Sequence, residues 1–161
     1  MTGWFRRQQQ PPAPPEPAED EDSPDKLRLR LWELVRFVNR SAGRLPVEAV
    51  VLSRQITDII RAVIETSDDH DLDVYAVVQI NGIVSDYLPT TLRTYVNLDP
   101  ELTERVGPSG RTPRAALREQ LESLRSAAAD MLHAAQEHDV DALFTQGSFL
   151  RTKFTGSDLN L

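Results

Sequence analysis

Apolar residues recur along most of this chain at three- and four-residue steps, the period of an α-helix. Leu27, Leu31, Leu34, Val35 and Val38, widened by Trp32 and Phe37, predict a first helix over about 26–42. Asp25 is placed to cap its start, and Gly43 to end it. Leu52, Ile56, Ile59, Ile60, Val63 and Ile64 predict a second helix that opens at Leu45-Pro46, where a first-turn proline is tolerated, and stops near Thr66. Its β-branched content also suits a strand. The length of the run, with Arg54, Asp58, Arg61 and Glu65 on the opposite side, favours a helix.

The third segment, about 72–98, carries one stripe of Val77, Ile80, Val84, Leu88, Leu92 and Tyr95, with Val78, Tyr87 and Leu98 at its edges. Pro89 lies inside it. A proline there removes a backbone donor and clashes with the preceding turn, so the helix must kink or restart. Asn81-Gly82 loosens the same region, and the rival reading makes it a hairpin turn after the β-prone stretch Val74 to Ile80. The stripe runs through the proline in phase, which favours the kinked helix.

Residues 99–111, with Asp99-Pro100 and Gly107-Pro108-Ser109-Gly110, form a connector. Thr112-Pro113 then reads as an N-cap followed by a first-turn proline. From there to His138 the chain is rich in strong helix formers, with Leu117, Leu121, Leu124, Ala128, Met131 or Leu132, and Ala135 on one side. A shorter fifth helix over about 139–154 would turn Val140, Leu143, Phe144, Leu150 and Phe154 inward, with Gly147 as its weak point. The expected fold is all-α: an antiparallel bundle of four to five helices over residues 26–155, with a proline-kinked third helix. Residues 1–25 hold six prolines and six acids, too little apolar surface to offset the entropy of ordering, so a disordered tail is expected there. Residues 156–161 are expected to be a flexible C-terminal tail.

Charge changes the picture in one place. The net charge of the 161 residues is −7. Residues 1–25 carry two arginines against six acids, and the rest sixteen bases against nineteen acids, so the folded part is nearly balanced at −3. A general nucleic-acid surface would be clearly basic, so DNA and RNA are disfavoured as partners. The first helix departs from this balance: Lys26, Arg28, Arg30, Arg36, Arg40 and Arg44 face Glu33 alone. Arg36, Arg40 and Arg44 stand at four-residue steps and form a ridge that suits an acidic partner, a phosphate-rich ligand or an anionic membrane. The same ridge can be a solvated face, or can pair with the acidic segment 16–25 of its own chain.

Chemistry-bearing residues are sparse. Asp68-Asp69-His70-Asp71-Leu72-Asp73 gathers four carboxylates and an imidazole, the donor types of a hard-cation or zinc site. Counted as a calcium loop from Asp69, however, the glycine position holds Val74 and the last ligand position holds Ile80. A solvated interhelix turn is the simpler reading. His133 and His138 are five apart and do not share a helix face as a four-residue pair would. Gly-x-Ser-x-Gly, Gly-x-x-x-x-Gly-Lys and Gly-x-Gly-x-x-Gly are all lacking, and no metal or cofactor is expected. Trp4-Phe5-Arg6-Arg7 could touch a membrane surface or form an unstructured tip. No apolar run approaches the ~20 residues of a membrane span, and nothing near the N-terminus resembles a signal peptide, so a cytoplasmic protein is expected.

Asp86-Tyr87-Leu88-Pro89-Thr90-Thr91-Leu92-Arg93-Thr94-Tyr95 resembles a stretch of the bacterial 5-bromo-4-chloroindolyl phosphate hydrolysis (XpaC-like) family. The resemblance implies an all-helical bacterial protein, with a link to toxic-anion (tellurite) resistance. It carries no active site across, although the family label suggests a phosphoester hydrolase. The shared residues read as architecture. Pro89 sets the kink, Leu88 and Leu92 fill the core, Tyr87 and Tyr95 bury rings that reach for polar partners, and Thr90 and Thr91 bond back to freed carbonyls. The reading that follows is a non-enzymatic helical interaction protein whose partner is another protein, and a helix face left uncovered would add self-association. Phosphoester hydrolysis through the acidic cluster and peripheral membrane binding are the alternatives.

Overall fold

The structure is a computed structural model that describes residues 22–68 and 71–157, with backbone alone at residues 142–143 and 146–157. It is all-α, with no strand among the described residues. Five helices, α1 (Pro24–Ser41), α2 (Val47–Glu65), α3 (Val74–Asn81), α4 (Leu88–Val96) and α5 (Pro113–Ser157), are joined by short 3-10 turns and a π-helical segment.

α1 starts at Pro24, one turn earlier than its apolar stripe requires, because Ser23 and not Asp25 is the cap. The Ser23 hydroxyl accepts from the Lys26 N–H at 3.4 Å, and Pro24 takes the first helical position, where its missing N–H costs nothing. Leu27, Leu31, Leu34 and Val38 are buried. α2 begins after Pro46 and buries Ile56, Ile60, Val63 and Ile64, while Ala49 and Ser53 keep its first half thin.

The chain meets Pro89 with a change of helix type. α3 passes into a π-helical segment, Gly82–Tyr87, and α4 restarts at Leu88. The Leu88 N–H bonds to the Ile83 carbonyl, a five-residue step. Such a wide turn accommodates a proline ring that would strike the carbonyl four residues back in a regular α-helix. Leu88 and Leu92 are fully buried and Tyr95 nearly so. Tyr87 differs from expectation. The residue is 56% exposed, and its ring folds back over Gly82, where an added Cβ would stand 3.0 Å from the ring. The Thr90 hydroxyl donates to the Asp86 carboxylate at 3.2 Å rather than to a freed carbonyl.

Side-chain ties fix the directions. Arg28 bonds to Asp68 and Arg54 to Asn39, so α1 and α2 are antiparallel. Arg30 bonds to Asn81 and Arg44 to the Val96 carbonyl, so α1 runs parallel to the rod formed by residues 74–96. Arg114 at the start of α5 bonds to Glu48 at the start of α2. With the rod counted as one unit, consecutive units of the chain therefore alternate in direction. α1 packs on α2 and on the rod, and α5 packs on α2 and α4, which closes a four-sided bundle.

After the connector, the Thr112 hydroxyl accepts from the Ala115 N–H at 3.1 Å and caps α5. α5 is one helix of 45 residues, not two of the expected lengths. No proline or cap interrupts 136–141, so a helix once nucleated continues through Asp139 and past Gly147. Leu117, Leu121 and Ala128 are buried, and Met131 and Leu132 half-buried. Val140 and Phe144 are exposed instead of inward, because α2 and the rod end before they are reached. The side chains of Leu143, Leu150 and Phe154 lie outside the described residues, as do the whole of residues 1–21 and 158–161.

Two stability tests follow from the core. Leu121 is fully buried, so Leu121→Ala should cost roughly 2–5 kcal/mol in urea unfolding. Ser53 is also fully buried, yet its hydroxyl has no partner among the described residues, so Ser53→Ala should be neutral or stabilise by about 1 kcal/mol. Glu48 supplies a third test. The Arg114 guanidinium bonded to it at 2.6 Å, helped by its own backbone N–H, holds its carboxyl below the usual glutamate range. A carboxyl depressed in the folded state stabilises above its unfolded value and loses that contribution as pH falls through the folded one. Wild type should therefore be slightly more stable than Glu48→Gln at pH 7, and the gap should close on acidification through and below the glutamate range.

Candidate functional site: an arginine-lined groove

Parallel packing of α1 against the rod leaves a groove of about 620 Å³ between them. Its α1 wall carries Arg30, Glu33, Arg36 and Arg40, and Arg93 of α4 stands on the opposite wall. Val84 and Pro89 contribute apolar surface. Four arginines and one glutamate thus line a short channel, in a protein whose net charge is −7.

Two of these arginines are held by aromatic rings. The Arg36 guanidinium lies 4.6 Å from the centre of the Trp32 ring, and that of Arg93 lies 5.1 Å from the centre of Phe37. A ring face attracts the cation without neutralising it and leaves the N–H edge of the guanidinium free to donate. Among the described residues, no carboxylate lies within ion-pair range of Arg36, Arg40 or Arg93, whereas Arg28 and Arg114 each hold two and Arg61 holds one. Trp32 itself is 55% exposed, an aromatic surface beside a charged one.

The ridge expected at Arg36, Arg40 and Arg44 is thus brought into the groove in two of its three members. Arg44 instead donates to the Val96 carbonyl at 2.5 Å and ties the end of α1 to the end of α4. Arg93 was not legible as a site residue, because its neighbours Leu88, Pro89 and Leu92 read as core and only the α1–α4 packing turns it toward the ridge. Its pairing with Phe37 had no signal along the chain. Of the Asp86–Tyr95 stretch, Leu88, Leu92 and Tyr95 face the core, Asp86 and Thr90 bond to each other, Thr91 is half-buried, and Pro89 borders the groove.

The described members of the acidic cluster do not converge. Asp68 is bonded to Arg28 at 2.6 Å, Asp71 and Asp73 line a second, mainly apolar hollow between α3 and α5, and Asp69 and His70 lie outside the described residues. His133 pairs with Glu137 at 3.2 Å, and His138 borders the second hollow. Among the described residues no three histidines or carboxylates come together as a metal site. Trp4 to Arg7 fall outside the described residues, and no described helix is long and apolar enough to cross a membrane. Comparison with protein-family models, curated proteins and solved structures finds no match to this chain.

Unneutralised like charges held close together destabilise the fold that holds them. In a chain whose Glu16, Glu19, Asp20 and Glu21 are replaced by their amides, so that no N-terminal acid can offset the groove, replacing Arg36, Arg40 and Arg93 together by glutamine should therefore raise the melting temperature at low salt. The gain should fade toward about 1 M salt, where screening acts over ~3 Å. A lower melting temperature at low salt would mean that the arginines serve the fold.

Proposed function

We propose that this chain is a non-enzymatic helical interaction protein that takes an acidic segment of a partner protein into the groove between α1 and α4. The observation that carries this reading is a set of arginines with no carboxylate partner among the described residues, Arg36, Arg40 and Arg93, two of them oriented by Trp32 and Phe37. Oriented guanidiniums bind carboxylates with less ordering cost than free ones, and the exposed tryptophan favours a segment with an apolar or aromatic residue among its acids. The folded part is nearly balanced in charge and the basic patch is confined to one groove, which suits a short acidic peptide better than a nucleic-acid backbone. The proposed setting is a bacterial cytoplasm, in an envelope or toxic-anion stress pathway, and it rests on the Asp86–Tyr95 resemblance alone. The phosphoester-hydrolase reading rests on that same resemblance, and no arrangement of the described side chains favours it.

Fluorescence anisotropy with a fluorescein-labelled glutamate-rich peptide tests the proposal. The full chain should bind it at low salt, and Arg36→Glu with Arg93→Glu should weaken binding by about tenfold or more. Arg125→Glu, on the exposed side of α5, should not. Equal binding by all three would overturn the reading, and so would preferential binding of oligonucleotides or anionic vesicles. Turnover of a chromogenic phosphomonoester that is lost in Asp71→Ala would replace it with the hydrolase.

A further inference from the structure

The groove has a candidate occupant within its own chain. The first described residue, Asp22, accepts a hydrogen bond from the Asn81 side-chain amide at 2.6 Å. The carbonyl of that amide in turn accepts from Arg30 at 2.6 Å. Arg30 lines one end of the arginine groove. The polypeptide therefore enters the bundle at the mouth of the groove, and the residues just before that point are Glu16, Pro17, Ala18, Glu19, Asp20 and Glu21. Four of those six are acids.

Dimensions and charge agree. From Arg30 to Arg40, α1 advances about 15 Å at ~1.5 Å per residue. An extended chain from Glu21 back to Glu16 spans up to about 20 Å at ~3.3 Å per residue. Four negative charges would meet a groove lined by four arginines and a single glutamate. Pro17, with Pro14 and Pro15 before it, biases the segment toward an extended form and lowers the entropy lost on docking. A tether this short also presents its acids at an effective concentration in the millimolar range.

We infer that residues 16–21 occupy the arginine groove in the resting chain, and that an acidic partner must displace them. The inference rests on the groove reading above for its partner, and adds what holds the groove when no partner is present. Acids on a short tether form a threshold: a weakly acidic competitor is refused, and one that also covers Trp32 is accepted. Salt weakens both contacts, since both are largely electrostatic.

The chain has no cysteine, so Ala18→Cys gives a single site for a nitroxide label. At low salt, amide signals of Arg36, Phe37, Ser85 and Arg93 should broaden, while those of Asp58 and Arg61 on the outer side of α2 should not. The broadening should vanish in a variant carrying Glu16→Gln, Glu19→Gln, Asp20→Asn and Glu21→Gln. That neutralised variant should bind the glutamate-rich peptide about tenfold more tightly than wild type, while both remain sensitive to Arg36→Glu. Broadening that is absent, or spread evenly over the bundle, overturns the inference, and so does equal peptide affinity in the two chains. If the peptide binds equally and Arg36→Glu still weakens it, the groove reading survives and only the self-contact falls. If the groove signals broaden but neither chain binds peptide, the self-contact stands and the partner reading falls.

Discussion

Pro89 has to be accommodated in a helix whose residues on either side, Leu88 and Leu92, are fully buried. An α-helix would drive the ring into the carbonyl of Ser85, and simple unwinding would expose two leucines at a cost of roughly 1.5–3 kcal/mol each. The chain instead widens one turn, Gly82–Tyr87, and resumes as α4 with its apolar side still on the core. Other features lean on this. Gly82 leaves room for the Tyr87 ring, Arg93 comes round one turn after Pro89 to face Phe37, and Pro89 itself borders the groove.

Arginines in this protein fall into groups with different physics. Arg28, Arg61 and Arg114 hold carboxylates at the surface, where solvent screens an ion pair and leaves it little net stability. Two of these pairs tie helix ends together and so help choose between alternative directions of packing. Arg36 and Arg93 are stacked on aromatic rings, and with Arg40 they concentrate positive charge in one channel. Such an arrangement costs stability, which a protein tolerates where the charge is needed for binding. The acidic stretch before Asp22 supplies the opposite charge in the same chain, so groove and segment together are nearer neutrality than either alone.

α5 shows a different constraint. Its first half is shaped by the bundle, with Leu117, Leu121 and Ala128 buried against it. Its second half continues because nothing in the chain stops it, and it carries Val140 and Phe144 into solvent. Helix propensity decided the length of α5, and packing decided only the part the other helices are long enough to cover.

By itself the sequence determined the all-helical class, the helices over 26–42 and 46–66, the Thr112 cap, the connector before it and the buried stripe through Pro89. Those are local matters of period, capping and turn chemistry, and each is written in residues a few positions apart. It also marked Arg36 and Arg40, because a run of like charge on one helix is visible without a fold. The expected break near 139 failed because a polar stretch resembles a turn until propensity is weighed against it. Tertiary structure alone decided that α1 and α4 lie side by side and parallel. That packing brought Arg93 to Phe37, assigned Arg44 to the Val96 carbonyl, and set Asp22 at the mouth of the groove. Those contacts join residues 51 to 59 positions apart, and no local pattern encodes a meeting between positions whose neighbours are chosen by the packing of buried faces.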